Sequence, residues 1–542
     1  MSVLTEERRQ KKLEEIMMKK DYENKQVYFI GGGLASLAGA VYLIRDCDFP
    51  GKAIHIIEEM TIGGSNDGAG NPEQGYVIRG GRMLNDEAYE NTWELLSTIP
   101  SLNDPDKSVR TEIREFDTAH PTHAKARLVN KNAEIEDVMS MGFDLSDRLA
   151  MAKLIITPEE KMGKARINDW FGAHFFETNF WYMWATTFAF QPWHSAVEFK
   201  RYMIRFMHEF PRIQTLEGVT RTPYNQYDSI ILPLKKYLDQ YDVDFKMKCT
   251  VNDLYFKNSE DITVTAIHYT REDAQGVIEI QEGDRVIITN GSMTDGYSLG
   301  SMTKAPVLKG KGNSWKLWDK IAKKKSGLGN PSSFDDDIDG SKWESFTVTC
   351  QDSRFFDLME KFSRNKAGSG ALVTFKDSSW FMSIVLAHQP HFLNQPENVN
   401  VFWGYGLYPD KVGDYVKKRM SDCTGEEILT ELLGHLNFEN DREAILKSAN
   451  CIPCMMPFIT SQFMPRSLGD RPQIIPEGST NLAFVGQFCE IPDDVVFTEE
   501  YSVRAARIAV YKLFGINKEI TPINQYQYDI RTLFSAFITS YR

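Results

Sequence analysis

At 542 residues the chain exceeds what one hydrophobic core supports, so roughly two to four structural units are expected. Its net charge of −13 argues against a nucleic-acid backbone as the main partner, because neutralising phosphates needs a basic face. Hydrophobic residues at 42% and charged residues at 25% fit a soluble globular protein, and aromatics at 12% suit either a large core or a site for a long apolar ligand.

Met1 to Lys20 is crowded with charge and lacks the apolar stretch of a secretory signal. Residues 4–20 read as a solvent-facing helix, capped by Thr5, with Glu6 and Glu7 in its first turn and Lys19 and Lys20 in its last. The strongest signal follows at Gln26 to Glu59. An apolar run, Val27 to Ile30, meets Gly31, Gly32 and Gly33; a small-residue helix pattern comes next, then the run Ala53 to Ile57, closed by Glu58 and Glu59. Strand, tight turn, helix, strand and acid make the dinucleotide-binding fingerprint. Gly31 permits the sharp turn and Gly33 lets backbone approach a pyrophosphate. The helix from about Leu34 aims its N–H groups and positive dipole end at the phosphates. Ser36 stands where a third glycine is usual, and Glu58 is placed to accept hydrogen bonds from a ribose diol.

Thr61 to Gly70 is a second glycine-rich loop, in which Gly63, Gly64 and Ser65 are expected to follow the pyrophosphate and flavin ring; the other reading is an exposed turn. Gly75 to Arg82 gives a short strand and a glycine turn, and helix returns from about Asn85 to Leu96. Residues 121–245 form a helical, aromatic block in which Tyr202, Phe206 and Phe210 recur at helical spacing and share one face, read as core plus pocket wall. The uncharged stretch Thr178 to Val197 approaches the length of a bilayer span, but Asn179, Gln191, Pro192 and His194 make it buried protein or ligand wall.

From about 246 the pattern turns to β, with strands at Met247 to Phe256, Ile262 to Tyr269 and Gly276 to Ile280. Arg285 to Ser292 is a buried strand returning to the nucleotide sheet and ending in the polar turn Asn290, Gly291, Ser292. Residues 300–465 mix strands (Thr347 to Cys350, Met382 to Leu386, Val399 to Trp403) with helix (Glu426 to Leu436). Asp335, Asp337, Asp339 and Gly340 imitate the start of a calcium loop, but Phe346 occupies the position that needs a bidentate glutamate. A third return, Asn481 to Phe488, brings Gly486 and its neighbouring amides to the flavin edge ahead of the helix Glu499 to Phe514. In the tail, Leu533, Phe534, Phe537, Ile538 and Tyr541 lie at helical spacing between Arg531 and Arg542, suited to a membrane surface or to the protein's own body. The seven cysteines are scattered and odd in number, as in a cytoplasmic chain with reduced thiols; Cys451 and Cys454 lack partners for zinc, and no metal site is expected.

The resulting fold class is α/β. A Rossmann-like FAD-binding domain is assembled from 26–120, 246–300 and 466–515, after an N-terminal helix at 1–25. A mixed α+β substrate region comprises 121–245 and 301–465, and 516–542 is a helical C-terminal extension.

The stretches GGGLASLAGAVYLIRD, GYVIRGGR, NFWYMWATTFAFQPWHSAVE, TPYNQYDS, LAHQPHF, WGYGLYPD and CTGEEILTELL resemble, over essentially the whole chain, the oleate hydratases, also called the myosin-cross-reactive antigen family. That resemblance implies non-covalently bound FAD and addition of water to a cis double bond of a free unsaturated fatty acid, oleic or linoleic, without net redox change. It implies proton transfer by Tyr202, in FKRYMIRF, and substrate contact by Gln226, in YNQYD. His391, in QPHF, is implied in anchoring the carboxylate, and Arg82, ending RGGR, stands beside the flavin and the water site. Three departures accompany it. Met83 stands where the best-known members carry a glutamate thought to activate water. Val385 and Ala387 stand where they carry Thr and Asn near the carboxylate. One extra residue before Trp93 would bring Asp86 or Glu87 toward the site.

Alkene hydration needs a proton donor at one carbon, a positioned water at the other and a site that tolerates developing positive charge. A tyrosine with an unperturbed pKa of about 10 serves as donor only if polarised, a role Arg82 suits. A reduced, anionic flavin is expected to stabilise the developing charge. Two rivals share these features: a flavin-dependent lipid oxidoreductase of desaturase or saturase type, and a non-catalytic lipid-binding flavoprotein. The expected setting is cytoplasmic, with peripheral contact at the inner membrane face through the tail. Monomer and homodimer both stay open.

Overall fold

The computed structural model describes residue 22, residues 24–80 and residues 83–542. The expected helix over 4–20 and the site residue Arg82 lie outside the described residues.

Five parallel strands form the nucleotide sheet: β1 (Val27–Ile30), β2 (Ile54–Glu58), β3 (Asp244–Met247), β4 (Arg285–Thr289) and β5 (Leu482–Val485), in the order β5-β4-β1-β2-β3. Ile30 stands beside Ile57 on one side and Ile288 on the other, and Ile288 beside Phe484. Helix α1 (Leu34–Cys47) follows β1 and packs against a late helix, Glu499–Leu513, over the same sheet. The small residues of α1 have a steric cause: a Cβ on Gly39 would lie 2.7 Å from the Phe29 ring. β3 straddles residue 245, so the segment after the aromatic block belongs to this sheet from its first strand.

A second sheet of seven strands carries the other half of the molecule, in the order Ser298–Leu299, Ala449–Met456, Trp343–Cys350, Asn400–Gly406, Met382–Leu386, Val373–Phe375, Leu128–Val129. Alternation splits its central strand. Phe346, Val348 and Cys350 pack under helices Arg354–Ser363 and Gly425–Leu436 in a separate core. Trp343, Thr347 and Thr349 face the opposite way, where the Thr349 and Thr347 hydroxyls accept the N–H groups of Tyr76 (2.9 Å) and Ile78 (3.1 Å). Those two residues belong to the glycine-rich hairpin Gly68–Asn71/Gly75–Ile78, which thereby joins the two sheets. All seven cysteines are buried and free.

Between the sheets lies the aromatic block, built on α2 (Asn179–Phe188) and α3 (Ala196–Arg205). Two expectations shift here. The face Tyr202, Phe206, Phe210 is not one α-helix: α3 stops at Arg205 and Met207–Arg212 tightens to a 3₁₀ turn around Pro211, though all three rings stay buried. The helix expected from Asn85 begins at Glu90, because Asn85 pairs with Val219 and its side-chain oxygen accepts the N–H groups of Glu87 and Ala88 in a turn. The tail folds as the helix Ile530–Thr539, which rests on the Met207–Arg212 segment, with Arg148 donating to the Ser540 carbonyl at 2.9 Å. Its Phe534, Phe537 and Tyr541 remain more than half exposed. Among the described residues, no helix is long and apolar enough to cross a membrane.

Buried ion pairs hold α3 in place. Glu198 meets Arg466 and Arg471 at 3.0 Å each, Arg201 meets Glu490 at 2.9 Å, and Arg205 meets Glu90 at 2.6 Å. Burial pushes the Glu198 carboxyl up, but Arg471, Arg466 and Arg201 outweigh it and hold the group at about 2. Its stabilising contribution is therefore complete above the unfolded carboxylate range and lost as pH falls toward about 2. Glu198→Ala leaves two guanidinium groups buried without this partner, and urea denaturation at pH 7 is expected to show a loss of about 3–5 kcal/mol. The gap between variant and wild type should narrow as pH falls below about 4.

Candidate active site

Two cavities meet in the interior. The first lies at the carboxyl ends of the parallel strands, over the N-terminus of α1. Gly31 has φ +97°, a left-handed conformation that suits glycine, and turns the chain from β1 into α1. Glu58, at the end of β2, accepts the N–H of Gly32 (2.6 Å) and of Met60 (2.7 Å). Burial raises its pKa, and those two N–H groups work against the rise. Its first task is thus to hold the turn, while it still lines the cavity where a ribose diol would sit. The second glycine loop closes on the first: Gly63 N–H donates to the Gly32 carbonyl at 2.9 Å, and a Cβ on Gly64 would lie 3.2 Å from the Gly33 Cα.

Gly31, Gly33, Glu58, Gly63, Gly64 and Ser65 line this cavity on one side, and Gly291, Ser292 and Gly486 complete it. Ser36 and Asn290 are buried and do not line it, although both polar atoms of the Asn290 side chain and the Thr289 hydroxyl beside it lack hydrogen-bond partners among the described residues. Sequence reasoning missed Arg79, which lines the cavity, donates to Asp67 at 2.6 Å and to the Gly64 carbonyl, and stands 4.3 Å over the Tyr297 ring. It lies in the same GYVIRGGR stretch as Arg82, which is outside the described residues. Asn66 was also missed; it donates to Glu499 at 2.6 Å and fastens the loop to the late helix. A helix N-terminus, a cradle without side chains, buried polar atoms without partners and a strand-end carboxylate together fit a dinucleotide.

The second cavity is apolar, and it holds Met83, Gln226, Val385, Ala387 and His391 together. Gln226 and His391 are far apart in sequence; Asn225 joins them by donating its backbone N–H (2.9 Å) and its side-chain amide (3.0 Å) to the His391 carbonyl. Trp343, Trp403 and Tyr405 supply aromatic faces from the seven-stranded sheet. Burial, then Arg221 and His388, lower the His391 pKa to about 3, so its imidazole is neutral near pH 7. Among the described residues, no carboxylate lines this cavity. Asp86 and Glu87, the acids suggested by spacing, lie outside it, paired with Arg114 (2.5 Å) and Arg212 (3.2 Å).

Tyr202 lines neither cavity. Its hydroxyl donates to the Val496 carbonyl at 2.5 Å, and its ring packs against Phe188 and Phe190, 5.0 Å away in each case. The next residue, Phe497, lines both cavities and is their shared wall. Two further clusters come within metal-ligand reach, Asp144/Asp147/His174 and Asp414/Glu431/His435. Their carboxylates already bind local backbone: Asp144 and Asp147 form a capping box, and Glu431 accepts the N–H groups of residues 414 to 416.

The parallel sheet, the glycine cradle and the adjoining apolar cavity define a dinucleotide-binding α/β protein with a separate site for a greasy molecule. The family is narrower: residues 24–511 match the MCRA family, and the chain belongs to it. It is 39% identical over 528 residues to the oleate hydratase of Streptococcus pyogenes serotype M49 (strain NZ131), covering 95% of this chain and 89% of that protein. It is 38% identical over 554 aligned residues to the linoleate hydratase of Lactiplantibacillus plantarum, covering 94% and 97%. Among solved structures, an oxidoreductase from Methanosarcina mazei shares the fold with a TM-score of 0.52 at 11% identity, over 90% of this chain and 100% of that one.

Glu58→Ala frees the Gly32 and Met60 N–H groups and removes the strand-end acid. The purified variant is expected to retain FAD about tenfold or more weakly, read from visible absorbance after gel filtration. Undiminished retention would leave the turn without the role given to Glu58.

Proposed function

We propose that this protein adds water across a cis double bond of a free unsaturated fatty acid, with oleic and linoleic acids as substrates and FAD held in the glycine-lined cavity. One observation carries the reading: in a member of the MCRA family, a dinucleotide cradle and an apolar, carboxylate-free cavity share Phe497 as a wall. Hydratase relatives at 38–39% identity over nearly the whole chain support water addition over lipid oxidation.

In the proposed reaction a proton adds to one alkene carbon and hydroxide from water to the other, so no electrons are transferred overall. Tyr202 is assigned as proton donor, reached when its hydroxyl leaves the Val496 carbonyl. Arg82 is assigned to polarise that phenol and fix the water. Met83 makes the water side apolar, and Gln226 is the polar side chain proposed to hold the water or the chain beside it. Trp343, Trp403 and Tyr405 offer π faces to developing positive charge and keep bulk water out. FAD, when bound, supplies a ring of adjustable charge against the alkene. The exposed apolar edge of Ile530–Thr539 is proposed to rest on the inner membrane face, where free fatty acids partition.

Anaerobic incubation with oleic or linoleic acid, reduced flavin and no electron acceptor should yield a product heavier by one water. Chemically unchanged lipid, or turnover only with an acceptor, would overturn the reading. Tyr202→Phe is expected to lower kcat about 100-fold or more. Because no acid lines the cavity, Met83→Glu should raise the rate.

A further inference from the structure

We propose that Arg221 is the side chain that binds the substrate carboxylate, in the apolar cavity that Val385 and Ala387 also line. Arg221 lines the apolar cavity and lies just beyond the short strand Val219–Thr220. Its guanidinium is only partly committed. Nε donates to the Thr122 hydroxyl at 3.1 Å and Nη2 to the Gly370 carbonyl at 2.7 Å, whereas Nη1 has no protein acceptor among the described residues. No carboxylate forms an ion pair with it; Asp117, the acid that acts on it, accepts the Arg221 backbone N–H at 3.1 Å.

A second cation stands behind the same wall without lining the cavity. Arg127 is fully buried and bonds only neutral acceptors: the Leu372 carbonyl at 2.9 Å, the Thr187 hydroxyl at 3.1 Å and the Ile213 carbonyl at 3.4 Å. Leu372 and Thr187 themselves line the cavity. Burial draws both arginines down to about 10, yet they stay charged near pH 7. Two positive charges thus flank one carboxylate-free cavity, an arrangement that is costly until an anion enters. Burial lowers the His391 pKa to about 3, and burial followed by His120 lowers His388, so both imidazoles are held toward the neutral form and the fixed positive charge beside the cavity is that of the arginines. Arg221 has the free donor arm and the cavity exposure; Arg127 adds field from behind. The occupant is a long-chain molecule with an anionic head, bound by charge-assisted hydrogen bonds.

The proposal takes its ligand from the hydratase reading, but its test needs no turnover. Binding of stearic acid and of stearyl alcohol to the holoprotein is compared by displacement of a fluorescent fatty-acid probe. Arg221→Met is expected to weaken stearate about 10- to 100-fold and leave the alcohol unchanged, with Arg221→Lys in between. Where hydration is measured, KM for oleate should rise by a similar factor while kcat holds. Unaltered stearate affinity, or an equal loss of both ligands, would overturn the assignment. Should Arg221→Met fail to fold by circular dichroism, wild-type protein binding oleate and methyl oleate equally would overturn it, and a clear preference for the free acid lost in Arg221→Lys would support it. Selective stearate binding through Arg221 without any hydrated product would sink the hydratase reading and leave this one standing.

Discussion

The carboxylate of Glu58 accepts two backbone N–H groups, from Gly32 and Met60, and the rest of the site is built outward from that contact. It ties the end of one parallel strand to the turn of its neighbour, which fixes the N-terminus of α1 over the cavity. With Gly32 held, its carbonyl can receive Gly63, and the second glycine loop closes against the first. Asn66 then fastens that loop to Glu499, and the hairpin that follows hands Tyr76 and Ile78 to the threonine face of the seven-stranded sheet. The same face carries Trp343, and across the strand pair Trp403 and Tyr405. A path of hydrogen bonds, most of them made by the side chains of Glu58, Asn66, Thr347 and Thr349, therefore runs from the nucleotide turn to the aromatic wall of the acyl cavity. Such a path fixes the distance between the two cavities through buried or half-buried side chains whose polar atoms are already committed to backbone or to each other.

Charge is distributed in two different ways in this interior. Around α3, Arg201, Arg205 and Arg466 each meet a buried carboxylate, as the cost of burying a guanidinium requires. At the acyl cavity Arg127 and Arg221 have only carbonyl and hydroxyl acceptors. The contrast within one molecule separates cations that hold the fold from cations that await a ligand. A cavity already flanked by fixed positive charge needs few neutral donors to receive an anion, which suits apolar lining at Val385 and Ala387.

What could be read in the sequence was local. Gly31 to Gly33, the apolar runs on either side and the acid at Glu58 are close in the chain and carry fixed mechanical roles, so the nucleotide sheet was legible. The strand Met382–Leu386 appears with its expected bounds because it is a short apolar run whose ends coincide with loss of pairing. Pairing partners were not legible. The Asn85 turn depends on Val219, which lies far along the chain, and the place of Arg79 in the cavity wall depends on where Asp67 and Tyr297 sit. Arg221 stands one residue before the stretch TPYNQYDS and was passed over, because a missing counter-charge is visible only when the neighbours are known.

Phe497 shows how the two halves are coupled. Its φ of +70° is a left-handed conformation that a bulky side chain adopts at a cost of about 1–3 kcal/mol. The cost is met by Gln487, whose side-chain oxygen accepts the Phe497 N–H at 2.5 Å while its amide donates to the Thr498 carbonyl. Gln487 lines the nucleotide cavity one residue after Gly486, so the strain is held by a turn in the wall of that cavity. A relaxed backbone at this point would swing the ring away from the boundary and merge the two cavities. Keeping it strained maintains an aromatic partition that faces the nucleotide on one side and the acyl chain on the other. The preceding carbonyl, Val496, is the acceptor for the Tyr202 hydroxyl, so one short segment sets both the partition and the resting position of the phenol.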